Sequence, residues 1–118
     1  MASPVPNLND GSANRVPVAY QEISTATGAI TIDSEFVLLS YAGATAITLA
    51  APTNPDMNGL SMTITSSVAQ AHVITATNLL NGNSDTLTWG GAVGDSCNLR
   101  AWNGEWLTEN LTNVTVGG

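Results

Sequence analysis

The sequence predicts an all-β protein, a single-domain antiparallel sandwich or barrel preceded by an extended N-terminal arm. Three observations carry this. Short runs of alternating apolar and polar residues follow one another about every eight to twelve residues, with no helical period. Thr, Ser, Asn and Gly fill the space that charged residues usually occupy, only 9% of the chain being charged, and these residues favour strands and turns over helices. Asn103-Gly104 separates two alternating runs that each hold a tryptophan, the strongest short-range hairpin signal.

Residues 1–19 form the arm. Pro4, Pro6 and Pro17 with Asn7, Asn9, Asp10, Gly11, Ser12 and Asn14 rule out a helix or a central strand, because proline removes backbone donors and the others favour turns. Val5, Leu8, Val16 and Val18 are nevertheless spaced through it, with Arg15, one of only two cations in the 118 residues. The segment reads either as a frayed terminus or as an arm that orders when laid on another subunit.

The β domain spans residues 20–118. Strands are expected in AITI (29–32), EFVLLSY (35–41), TAITLAA (45–51), LSMTIT (60–65), AHVITAT (71–77), DTLTWG (85–90), SCNLRAW (96–102) and EWLTENLTNVTV (105–116). Each is bounded by Gly, Pro, Asn, Asp or Ser punctuation. PTNPDMNG holds two prolines and an Asn-Gly, so it connects two sheets and is not a hairpin. Thr-x-Thr pairs (Thr25/Thr27, Thr63/Thr65, Thr75/Thr77, Thr86/Thr88) place two hydroxyls on one strand face. A solvated sheet face explains them more simply than an ice- or sugar-binding face does.

In the final hairpin a two-residue loop sets Trp102 opposite Glu105, Ala101 opposite Trp106, Arg100 opposite Leu107 and Leu99 opposite Thr108. The core face then carries Cys97, Leu99, Ala101 and Trp106, so Cys97 is a buried, inert thiol. The other face carries Arg100, Trp102, Glu105, Leu107 and Glu109, with Arg100 diagonal to both glutamates. Trp102 and Leu107 lack a partner in this pattern. Either another strand of the same subunit covers them, or Trp102, Leu107 and Arg100 form a subunit interface.

The charge balance and residue inventory narrow the function classes. A net charge of −7 with no lysine argues against nucleic acid and against an acidic membrane surface, both of which need clustered cations. One cysteine excludes an intrachain disulfide and cysteine-based zinc sites. No apolar run approaches a membrane-spanning helix, and the N-terminus lacks the order of an export signal. His72 is the only histidine, sits mid-strand, and has no glycine elbow near any serine, so a structural role is expected for it. Asp33/Glu35 form a weak acidic pair, Asp10-Gly-Ser-Ala-Asn lacks the acidic spacing of a calcium loop, and the two Asn-x-Thr triplets at Asn110 and Asn113 are fortuitous without an export signal. No catalytic residue, metal or cofactor is expected, and the chain is not read as an enzyme.

AITLAAPTNPDMNGLSMTI, AHVIT, TLTWGGAVGDSCNLRAWNGEW and the closing NVTV, spread from Ala29 to Val116, resemble small all-β virion proteins of tailed phages. Chief among these are the capsid decoration (cement) proteins and related head or tail fibre modules. The resemblance implies a jelly-roll-like barrel that assembles as a trimer on the outer surface of a phage head, with an arm gripping the major capsid protein. On this sequence the arm contacts are assigned to Val5, Leu8, Arg15 and Val16. The alternative is a fibre module that binds a host receptor or glycan, with Trp89, Trp102 and Tyr41 as stacking platforms.

Overall fold

The computed structural model describes residues 19–53 and 55–118. Ten strands follow in order: β1 (Tyr20–Ile23), β2 (Thr27–Ile30), β3 (Phe36–Leu39), β4 (Ala46–Leu49), β5 (Ser61–Ser66), β6 (Val73–Leu80), β7 (Ser84–Trp89), β8 (Ser96–Trp102), β9 (Glu105–Thr112) and β10 (Val114–Gly117). The helical content among the described residues is one 3-10 turn, Pro55–Met57, inside the loop expected to connect two sheets. That loop does so, running from β4 in one layer to β5 in the other.

The architecture is an all-β, barrel-like sandwich. One layer runs β1-β3-β5-β8-β9. The other holds β2, β4, β6, β7 and β10, and the two are joined where Leu80 of β6 pairs with Trp106 of β9. Pairing within the layers is mixed where antiparallel neighbours were expected throughout. β5/β8, β8/β9, β6/β7 and β7/β10 are antiparallel, whereas β1/β3, β3/β5, β2/β4 and β4/β6 are parallel.

The physical reason lies in the corners. After β1, β3 and β5 the chain does not double back beside itself but crosses to the opposite layer, so the next strand in each layer arrives in the same direction. Three stacked rungs result, β1-β2, β3-β4 and β5-β6. Backbone bonds at the corners hold them together: Ala46 N–H to Ala26 O at 2.8 Å, Val73 N–H to Thr45 O at 3.0 Å, Ser40 N–H to Ile23 O at 3.0 Å and Ser67 N–H to Leu39 O at 3.0 Å. The chain order is thus that of a short coil stack closed by two antiparallel ribbons.

Alternation fills the interior. Ile23, Val37, Leu39, Ile64, Met62, Cys97, Leu99 and Ala101 face inward from one layer; Ile30, Ile47, Leu49, Ile74, Ala76, Leu87 and Trp89 face inward from the other. The outer face of the second layer is small and uncharged. Thr27, Ala46, Val73, Thr88 and Thr115 form one register row, and Ala29, Thr48, Thr75, Thr86 and Gly117 the next.

Candidate functional site: the outer face of the final hairpin

The β8–β9 hairpin has the predicted turn and register. Asn103 and Gly104 both have positive φ, 52° and 82°, which a two-residue type I′ turn requires. Trp102 pairs with Glu105, Ala101 with Trp106, Arg100 with Leu107 and Leu99 with Thr108. Trp106 is fully buried and its indole N–H donates to Ala50 O at 2.9 Å. Trp102, on the other face, is 55% exposed and Leu107 38%, so among the described residues no other strand covers them.

The two faces of this ribbon therefore have different jobs. The inner face anchors the core. The outer face is braced but uncovered. Arg100 supplies the bracing: Nε donates to Glu109 Oε2 at 2.7 Å, Nη2 to Glu109 Oε1 at 3.1 Å and Nη1 to Gly59 O at 2.9 Å. Those hydrogen bonds, with the opposite charge behind them, push the guanidinium above and hold the carboxylate below their usual ranges. Asn58 Oδ1 accepts the Asn103 N–H at 2.7 Å, and Gly59 N–H donates to Ala101 O at 2.7 Å. The inter-sheet loop thus buttresses the hairpin and its tip.

Of the two glutamates diagonal to Arg100, Glu109 alone closes the ion pair. The register shifts between Asn98 and Leu99, so that Asn98 faces Asn110 while Leu99 faces Thr108. Glu109 is the extra residue of the resulting bulge. Beyond it Leu111 is 43% exposed although it lies opposite the buried Cys97. Sequence alternation gave no warning of the bulge.

His72, Ser66, Asp95 and Cys97 are turned inward. His72 is buried between two hydroxyls, Nδ1 2.9 Å from Thr45 Oγ1 and Nε2 3.2 Å from Ser66 Oγ. Ser66 Oγ donates its proton to Val68 O at 2.7 Å, so Nε2 carries the imidazole proton and Nδ1 accepts from Thr45. Burial lowers the His72 pKa. Serine and histidine meet here, but the serine is sealed in the core and its proton points away from the base.

Asp95 is buried and accepts from Ala92 N–H at 2.8 Å and from Asn113 Nδ2 at 2.9 Å, while its backbone carbonyl takes the Trp89 indole N–H at 2.9 Å. Trp89 is therefore a core residue and not a stacking platform, which removes one of the three aromatics from the glycan-binding alternative. Burial pushes the Cys97 thiol up to about 12. Asp33 and Glu35 sit exposed at a turn before β3. Among the described residues no group of three or more His, Cys, Asp or Glu side chains is arranged to hold a metal ion.

The arm residues Val5, Leu8, Arg15 and Val16 lie outside the described residues. Arg100 and Leu107 are paired across the hairpin, and Trp102 lies on the same face. Tyr20, 72% exposed at the start of β1, was not singled out in the sequence because its strand is only four residues long. No family model matches the chain, and no curated protein matches it.

Proposed function

We propose that this protein is a non-catalytic structural component of a tailed-phage virion: a decoration protein that binds the outer surface of the head and stabilises contacts between major capsid protein subunits. The observation that carries the assembly role is the exposed Trp102/Leu107 patch on a hairpin made rigid by the Arg100–Glu109–Gly59 bracing. Exposed aromatic and arginine side chains on a preorganised surface are the usual anchors of protein interfaces. The resemblance of residues 29–116 to small virion proteins supplies the phage context. In this reading Trp102, Leu107 and Arg100 contact neighbouring copies in a trimer, and the arm residues Val5, Leu8, Arg15 and Val16 contact the major capsid protein.

Two measurements test it. Quantitative proteomics of particles carrying this protein is expected to give hundreds of copies per virion; a handful would place it in a fibre instead, and none would end the virion reading. Sedimentation of the free protein is expected to give a trimer that Trp102→Asp dissociates. Deleting residues 2–17 is expected to leave that trimer intact while abolishing attachment to undecorated heads.

A further inference from the structure

The two strands of the first rung, β1 and β2, both lie at the open end of the rung stack, and their edges are treated differently. In β1 the carbonyls of Ala19 and Ile23 accept bonds from the β3 side, from Glu35 N–H at 2.7 Å and Ser40 N–H at 3.0 Å. By strand alternation the N–H and C=O groups of Tyr20 and Glu22 therefore point away from β3, to the free edge. In β2 the corresponding outward groups are taken up by a side chain. Gln21 Nε2 donates to Ala29 O at 3.0 Å and Gln21 Oε1 accepts from Thr31 N–H at 2.8 Å. The Gln21 carboxamide imitates the peptide of a missing neighbouring strand and plugs the β2 edge. Among the described residues nothing does this for β1.

Natural sheets blunt free edges with very short strands, charged side chains, proline, a bulge or a covering element; β1 is short and carries one charge, Glu22, whose carboxylate accepts from Ser40 Oγ at 2.6 Å. Residues 20–23 contain no proline or lysine, and β1 pairs with β3 in unbroken register. An exposed aromatic, Tyr20, stands on the outer face beside the free edge.

We propose that the free edge of β1 pairs with β1 of a second copy, antiparallel about a two-fold axis through Gln21. Register and charge select this occupant. Side-chain parity requires outward residues to face outward residues, so three registers are possible: Tyr20 opposite Tyr20, Glu22 opposite Glu22, or Tyr20 opposite Glu22. The first sets Glu22 opposite residue 18, outside the described residues, and the second sets two carboxylates face to face. The third uses every outward group, since Tyr20 and Glu22 of each copy exchange N–H···O bonds with Glu22 and Tyr20 of the other. It also places an aromatic ring against each glutamate stem. The interface is isologous, as a two-fold contact must be. Because Gln21 closes β2, only the β1 layer continues into the neighbour. So short a contact belongs to the weak, transient size class, suited to copies held close together. It does not depend on the virion reading.

The test is sedimentation equilibrium of the full chain from about 10 μM to about 1 mM, in the Trp102→Asp background so that any hairpin-face contact is silenced. A monomer–dimer equilibrium is expected. Glu22→Pro, which removes an N–H that bonds nothing in β3, is expected to weaken it at least tenfold, and Glu22→Ala, which keeps that N–H, to leave it. A monomer throughout the range, or a dimer that Glu22→Pro does not weaken, would overturn the proposal. Amide exchange in the unsubstituted edge covers the case in which Glu22→Pro fails to fold. Tyr20 and Glu22 amides should be protected at high concentration and exchange freely on dilution. Protection that does not depend on dilution would mean a segment of the same chain occupies the edge and would equally overturn it.

Discussion

Replacing Trp106 by alanine removes the side chain that ties the two layers together. It is fully buried, stands opposite Ala101 in β8 and Leu80 in β6, and donates to Ala50 O. Large-to-small replacement of a buried tryptophan costs about 3–5 kcal/mol, because neighbouring backbone cannot collapse into the space. Ala50 is itself exposed, so its released carbonyl recovers water and adds little. With native stabilities of about 5–15 kcal/mol, the loss is a large share of the total. At a urea dependence of about 2 kcal/mol per molar, the midpoint should fall by about 2 M. Far-UV circular dichroism is the suitable probe, since the substitution changes the tryptophan fluorescence itself. Trp102→Ala, four residues away on the uncovered face, is the control and should shift stability by less than about 1 kcal/mol. Equal losses for the two variants, or a loss below about 1 kcal/mol for Trp106→Ala, would refute the assignment of one tryptophan to the core and the other to the surface.

Three further outcomes are expected. Cys97, with its thiol held up at about 12, should resist a thiol reagent in the native state and react stoichiometrically after unfolding in urea. Burial depresses the His72 pKa, so the unfolded chain binds the extra proton more readily. Its contribution to stability is complete above about pH 6.5 and is lost as pH falls from there through the lower folded-state value, a slope that urea midpoints should show and His72→Gln should flatten. Gly90→Ala should cost about 1–3 kcal/mol, because a Cβ there would collide with the Asn113 carboxamide that Asp95 holds in place; thermal melts read the loss.

Much of the strand inventory is legible in the sequence because alternation is a local signal. The final hairpin is legible to the residue from its tip back to Leu99 and Thr108, since Asn103-Gly104 fixes both the turn and the register there. What alternation cannot convey is which strands become neighbours. The rungs have no constant period: Phe36 lies sixteen residues after its partner Tyr20, and Thr63 twenty-seven after Phe36. The inter-sheet loop before β5 stretches the third rung and hides the repeat. Strand β1 escaped notice for a related reason, four residues being too few to establish a pattern.

The corners nevertheless carry a usable distinction. An asparagine at positive φ directly followed by a glycine at positive φ occurs at Asn81-Gly82 and at Asn103-Gly104, and these are the β6–β7 and β8–β9 hairpins. The corners after β1, β3 and β5 have no such pair; they are built from Ser24-Thr25-Ala26, from Tyr41-Ala42-Gly43-Ala44 and from Ser67-Val68-Ala69-Gln70. These corners lack the positive φ that a two-residue hairpin turn needs, and they carry the chain across to the other layer. The same physics explains the reading of the hairpin face. Trp102 and Trp106 were separable because turn chemistry fixed their parity. The bulge itself was not legible, because it adds one residue without any obligatory glycine or asparagine and shifts the pairing of everything beyond it. Glu109, the inserted residue, is the one that closes the ion pair with Arg100.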